Sequence, residues 1–230
     1  LLLHLFSNPG EPSLRYIVDA CRPFLERATN PVVAYLPAAS VGDPFVGVTK
    51  SVFKDLASIA HLDADAHSRD KLDASLDRAT LLYIPGGNTY VLRQRLHTSG
   101  LMEAVRERVR AGLPLVAFSA GAVLCGANIM TTNDMNVCAC TEFGGLRLVP
   151  YNFNVHYPQE EGGQRELRDE RLWEYHEFHD NPVLALEDGA HVRVENERVD
   201  LLEGNCWLFE WGKERTMLEI GAINYSKQQA

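Results

Sequence analysis

The stretch Leu113-Pro114-Leu115-Val116-Ala117-Phe118 carries no polar side chain and runs directly into Ser119-Ala120-Gly121-Ala122. A strand without apolar/polar alternation buries both of its faces. That is the situation of a central strand in a parallel sheet covered by helices on each side. The small residues after Ser119 start a helix with little side-chain bulk. A strand that turns sharply into a helix at a serine displays the hydroxyl at the carboxyl end of the sheet. There the next backbone N–H, and the helix-start dipole, favour developing negative charge. A tight turn with no catalytic role is the other reading of these residues taken alone.

The surrounding chain repeats the same alternation. Leu1 to Phe6 reads as a buried strand rather than a leader, because it is too short for a signal core and no basic residue precedes it. A turn at Ser7-Asn8-Pro9-Gly10 follows, then a helical stripe through Leu14, Ile17, Val18, Cys21, Phe24 and Leu25 that Pro23 should kink or shift. Val32 to Leu36 is a second strand, Val46 to Ile59 a helical stripe, and Leu81 to Ile84 a strand broken by Pro85-Gly86-Gly87. Asn88 caps the helix that continues through Val91, Leu92 and Leu96, and Leu101 to Val109 is another helix. This order predicts an α/β fold: a mostly parallel sheet with helices on both faces. In the last third, Val183–Leu186, His191–Val194, Val199–Leu202 and Cys206–Phe209 are short strand-like runs separated by turn residues. They predict antiparallel strands at one sheet edge or in a small second sheet. No linker-like composition divides the chain, so residues 1–230 are expected to form one domain.

Composition sets the partners. The 230 residues carry 22 Lys and Arg against 31 Asp and Glu, a net charge of −9, with no basic run. Such a chain is a poor ligand for nucleic acid or an anionic membrane. No apolar run reaches the roughly 20 residues a membrane helix needs. Five cysteines, an odd number set mostly in apolar stretches, fit reduced thiols in a cytoplasm. Cys138-Ala139-Cys140 lacks a second ligand pair and reads as two strand cysteines.

A serine nucleophile needs a base, and the base an acidic orienter. Of eight histidines, His4, His61, His67 and His97 sit in ordinary contexts. His176 and His179 flank Glu177 at helical spacing, compatible with a metal pair but more in keeping with a solvated helix end. His156 differs: it closes Tyr151-Asn152-Phe153-Asn154-Val155-His156, an alternating strand that reaches a loop. Two acids, Asp134 and Glu187, each stand where an apolar stretch meets a turn, and spacing does not choose between them. The Gly86-Gly87 pair lets backbone N–H groups approach a ligand at the same sheet edge as Ser119.

Together the Ser7-Asn8 end of the first strand, Pro85-Gly86-Gly87-Asn88-Thr89, Phe118-Ser119-Ala120-Gly121-Ala122, Thr131-Thr132-Asn133-Asp134-Met135, Asn154-Val155-His156 and Glu187-Asp188-Gly189 resemble the peptidase E family, aspartyl dipeptidases related to cyanophycinase. The resemblance covers essentially the whole chain. It implies a glutamine-amidotransferase-like fold with serine in place of that fold's cysteine. It implies Ser119 as nucleophile, His156 as base, Asp134 or Glu187 as its acid, and Gly87 and Ala120 as oxyanion donors. Arg168, in Gln164-Arg165-Glu166-Leu167-Arg168-Asp169-Glu170-Arg171, matches the arginine that holds the substrate carboxylate, and Asn88 is a second candidate for substrate binding. Pro85, Ala117 and Val155 depart from the family pattern without removing a reacting group. The implied reaction is hydrolysis of Asp-X dipeptides through an acyl-enzyme, with a small peptide as partner, no cofactor or metal required, and room for a homo-oligomer. A cyanophycinase-like or esterase activity, or a non-catalytic binding role, are the alternatives.

Overall fold

The computed structural model describes residues 1–8 and 14–223. In chain order its elements are β1 (Leu2–Phe6), α1 (Leu14–Leu25), β2 (Val32–Tyr35), α2 (Val46–Phe53), β3 (Ser58–His61), α3 (Arg69–Asp77), β4 (Leu81–Ile84), α4 (Thr89–Thr98), α5 (Leu101–Arg110), β5 (Leu115–Phe118) and α6 (Ala120–Leu124). They continue with β6 (Asn152–Tyr157), α7 (Gly163–His176), β7 (Val183–Glu187), β8 (His191–Glu195), β9 (Arg198–Glu203), β10 (Cys206–Phe209), β11 (Thr216–Leu218) and β12 (Gly221–Ala222).

Eight strands form one sheet in the order β12-β9-β8-β1-β5-β4-β2-β3, of which β1, β5, β4, β2 and β3 run parallel. The antiparallel β8, β9 and β12 extend it past β1. A second sheet has the order β11-β10-β7-β6, with β6 and β7 parallel. The C-terminal strands thus do both things the sequence allows: some lengthen the main sheet and some build a small one.

The central strands are apolar throughout because both faces are packed. Along β5, Leu115 and Ala117 face a core shared with α4, α5, α6 and the second sheet, while Val116 and Phe118 join Ile17, Leu25 and Phe53 of α1 and α2 on the other side. β4 divides the same way, Leu82 and Ile84 against Leu81 and Tyr83. On the second sheet, Leu184 and Leu186 face the main core, and Val183 and Ala185 face α7 through Leu172 and Tyr175.

Two expectations change. Helix α1 continues through Pro23 to Leu25. A proline so near the C-terminus forfeits only one intrahelical bond, and Glu26 N–H still reaches the Arg22 carbonyl at 3.0 Å. The stripe from Val46 to Ile59 is helical only to Phe53, because Ile59 pairs beside Val33 as part of the edge strand β3. A short apolar run has no periodicity of its own to separate strand from helix. The turn at Ser7–Gly10 lies partly outside the described residues, at Pro9 and Gly10.

Candidate active site

Ser119 is the residue between β5 and α6. Its φ of 51° and ψ of −118° place a non-glycine residue in a conformation that costs energy, as a strained strand-to-helix elbow does. Small neighbours permit the bend. A Cβ on Gly121 would stand 2.6 Å from the Ile84 carbonyl oxygen, so α6 can pack this close to β4 only with glycine there. A Cβ on Gly86 would meet Ser119 Cβ at 3.0 Å, which puts the Pro85-Gly86-Gly87 loop against the elbow. Gly87 has φ of +139°, and a side chain there would collide with the Ala39 carbonyl at 2.5 Å. The amides of Gly87 and Ala120 have no acceptor among the described residues. Both belong to segments that end at the carboxyl edge beside Ser119.

The imidazole arrives from the other sheet. Within β6, Val155 pairs with Leu186 and Tyr157 with Glu187, leaving His156 as an extra residue with φ of 55°. Strand alternation would send His156 the way of Asn152 and Asn154, toward Tyr175 and Arg168 of α7. The bulge re-aims it instead, and shifts Tyr157 onto the α7 face. His156 Nε2 then lies 2.9 Å from Ser119 Oγ, and Nδ1 lies 2.7 Å from Asp188 Oδ1. A carboxylate can only accept, so Nδ1 carries the proton and Nε2 presents its lone pair to the serine hydroxyl. Ser119, His156 and Asp188 therefore form a continuous hydrogen-bonded chain. The imidazole and carboxylate are each a little under half exposed. A cleft of about 360 Å³ opens beside them, walled by Pro158, Gln159 and Gln164.

Neither acid singled out from the sequence touches the imidazole. Asp134 lies at the start of α4, where Oδ2 accepts from the Thr89 N–H at 2.7 Å and the Thr132 hydroxyl at 3.0 Å. It satisfies an orphan helix-start amide and complements the dipole. Glu187 is buried and accepts from Arg165 Nη2 at 2.9 Å, Trp207 Nε1 at 2.9 Å and Asn205 Nδ2 at 2.8 Å. Its strand position turns it away from His156, and Asp188, one residue further on, takes the contact. The signal for Asp188 was available: it is the first residue past the carboxyl end of a buried strand, where ligand crevices of α/β sheets open.

Asn88 is likewise committed elsewhere. Its Oδ1 caps α4 through the Val91 N–H and its Nδ2 donates to the Met135 carbonyl at 2.9 Å, so both ends of the amide serve structure. Of the three arginines on α7, Arg165 is buried and paired with Glu187 and Glu161. Arg168 donates to Asn154 Oδ1 at 3.0 Å, lies 3.4 Å from the Val155 and His156 carbonyls, and has no carboxylate partner among the described residues. Burial, then Arg171, lowers its pKa, but a guanidinium so shifted is still a cation at neutral pH. Among the described residues no three His, Cys, Asp or Glu side chains gather into a potential metal site, the Cys138–Cys140 and His176–His179 pairs included.

Comparison with known proteins gives the family of the chain. The family described as peptidase family S51 matches residues 1–202. A Drosophila melanogaster protein named "Probable alpha-aspartyl dipeptidase" is 42% identical over 149 residues, which span 63% of this chain and 62% of that protein. A peptidase E of Streptomyces coelicolor is 35% identical over 213 residues and 87% of each chain. In fold, the crystal structure of a Listeria monocytogenes protein titled "Putative Peptidase E Protein" superposes with a TM-score of 0.68 at 22% identity, covering 88% of this chain and 98% of that one. A peptidase from an acI-B1 actinobacterium superposes at 0.71 and 13% identity, covering 97% and 96%. An elbow serine, the glycine loop beside it and a family match over most of the sequence lead to one conclusion: this chain belongs to peptidase family S51.

Proposed function

We propose that the chain hydrolyses dipeptides that begin with aspartate, using Ser119 as nucleophile, His156 as general base and Asp188 as the acid that orients it. The observation that carries this reading is the relay of 2.9 and 2.7 Å from hydroxyl to imidazole to carboxylate, assembled from two different sheets. The enzyme is a serine-type peptidase. Ser119 Oγ attacks the peptide carbonyl as His156 Nε2 takes its proton. The tetrahedral oxygen rests on the Gly87 and Ala120 amides. His156 then gives its proton to the leaving amine, and water, activated by the same imidazole, releases aspartate from the acyl-enzyme. Asp188 stabilises the imidazolium without itself being protonated.

Aspartate specificity needs a cation in an acidic protein. Arg168 supports that role, because it lies against the His156 segment and, among the described residues, spends no charge on an internal carboxylate. A planar guanidinium grips a carboxylate through two parallel N–H bonds. The names of the dipeptidase relatives favour a dipeptide over a polymer of β-linked aspartyl-arginine, and a purely non-catalytic role does not call for three converging groups. The triad draws on both sheets, which supports reading residues 1–230 as one hydrolytic domain. The five unpaired thiols support a cytoplasmic setting.

The test compares Asp-Leu, Asn-Leu, β-Asp-Arg and a p-nitrophenyl ester. Asp-Leu should be the preferred substrate, with Asn-Leu poor because it lacks the charge Arg168 receives. Ser119→Ala should lower hydrolysis by about 10⁴-fold or more and abolish labelling by a fluorophosphonate. Full activity in that variant removes the nucleophile assignment.

A further inference from the structure

We infer that Ser7, a fully buried residue just past β1, is a positioning residue that sets the geometry of all three members of the triad. This inference rests on the Ser119–His156–Asp188 reading above. β1 lies between β5 and β8 in the main sheet, in register with β5 so that Phe6 sits beside Phe118. Ser7 and Ser119 are therefore neighbours at the carboxyl edge. The Ser119 N–H donates to the carbonyls of Phe6 at 2.9 Å and Ser7 at 3.1 Å, which ties the strained elbow to β1. The Ser7 N–H in turn donates to the Ala190 carbonyl at 3.2 Å, beyond the end of β7.

The hydroxyl does the rest. The bulge at His156 leaves its backbone N–H without a partner in the β6–β7 ladder, and Ser7 Oγ accepts that N–H at 2.8 Å. With one lone pair so used, the hydroxyl proton faces the Leu186 carbonyl at 3.1 Å and Asp188 Oδ1 at 3.2 Å. Asp188 Oδ1 is the same oxygen that receives His156 Nδ1–H. One serine thus fixes the nucleophile's backbone, the backbone of the base and the oxygen of the acid. A buried N–H that loses its acceptor is costly, so the bulge and the hydroxyl depend on each other. No main-chain strand pairing would take the place of Oγ here.

Removing the hydroxyl has two consequences that a filler residue would not produce. The His156 bulge loses its anchor, so the imidazole is less well aimed and kcat falls while KM for Asp-Leu stays unchanged. Asp188 also loses a hydrogen-bond donor. Its negative charge is then less neutralised, the imidazolium is favoured, and the acid limb of the kcat/KM profile moves to higher pH.

The experiment measures Ser7→Ala with Asp-Leu, with active sites counted by fluorophosphonate so that kcat refers to folded enzyme. The expected result is a kcat lowered about 10- to 100-fold, part of the 10²–10⁴ that a positioned general base supplies, with KM unchanged and the acid limb shifted upward. Wild-type kcat per titrated site with an unmoved limb overturns the inference, whatever happens to thermal stability. Should Ser7→Ala not fold, Ser7→Cys, close in shape and a weaker acceptor, is read by the same two measurements. Ser119→Ala is run beside them. If it is inactive while the Ser7 variants behave as wild type, only the positioning role fails. If it retains activity, the triad reading fails and this inference with it.

Discussion

Two adjacent acids at the end of β7 do different work, and the difference is one step of backbone. Asp188 is nearly half exposed and holds the imidazole, whereas Glu187 is buried in an ion pair with Arg165. Arg165 also donates to the Pro158 and Gln159 carbonyls at 2.8 and 2.6 Å, so Glu187 anchors the loop that follows His156 without touching the ring. The two substitutions should therefore separate cleanly. Asp188→Asn should lower kcat on the order of 10³–10⁴-fold, because the wrong tautomer of His156 is favoured, with little change in melting temperature. Glu187→Gln should destabilise the fold by about 2 kcal/mol, because the buried Arg165 guanidinium keeps only the exposed Glu161 as a charged partner, with kcat per titrated site much less affected. Denaturant midpoints and active-site-normalised rates on both variants decide the matter. The sequence shows both carboxylates but not which way either faces.

At the level of elements, the seam between β1 and β8 carries a feature that the hydrophobic pattern hides. His4 Nδ1 and His191 Nε2 are 2.9 Å apart, and His191 stacks on Phe6 at 4.0 Å between ring centres. One nitrogen must donate and the other accept, so the two rings cannot both be charged. Burial, then the nearby Arg193, pushes the pKa of His4 down to about 4. Burial, then His4 and Arg193, pushes that of His191 down to about 3. Unfolded histidine takes up its proton near pH 6.5, but the folded rings do not until far lower pH. The unfolded state therefore binds more protons, and stability falls as pH drops from about 6.5 toward 4. Between pH 6.5 and 5 most carboxylates are still ionised, so the loss in this window reports histidine. Burial lowers His176 as well, which adds in the same direction. Urea denaturation at pH 7 and pH 5 should show a stability loss on the order of 1–2 kcal/mol or more, and His191→Gln should reduce it. An unchanged pH dependence in that variant removes the pair as its source. The other elements were legible to different degrees. Strand β5 and helix α4 announced themselves by an apolar run and a capping asparagine. Helix α3 and the edge strands β3, β11 and β12 did not, since their burial depends on neighbours distant in sequence.

The whole molecule places a serine from one sheet against a histidine and an aspartate from another, across a shared apolar core. No helix among the described residues is long and apolar enough to cross a membrane. The five cysteines are all unpaired, and four of them are buried. Burial raises the thiol pKa of Cys21, Cys125 and Cys206, which leaves them protonated and unreactive. Only Cys138 is partly exposed. A disulfide reagent should accordingly titrate one thiol quickly in the folded protein and all five after unfolding; rapid reaction of several in the native state would contradict the packing. The order of strands and helices, the elbow serine and the glycine loop beside it were set by local signals: apolar runs, small residues and turn chemistry that act within a few residues. The choice of Asp188 over Asp134 and Glu187, the re-aiming of His156 and the central position of Ser7 were not. The re-aiming of His156 depends on a one-residue shift in register between β6 and β7, and the choice of Asp188 over Glu187 on a one-residue step in pleat, while Asp134 and Ser7 are placed by contacts between segments far apart in sequence. Such a shift reverses the face a side chain presents, and only the packed sheets fix it.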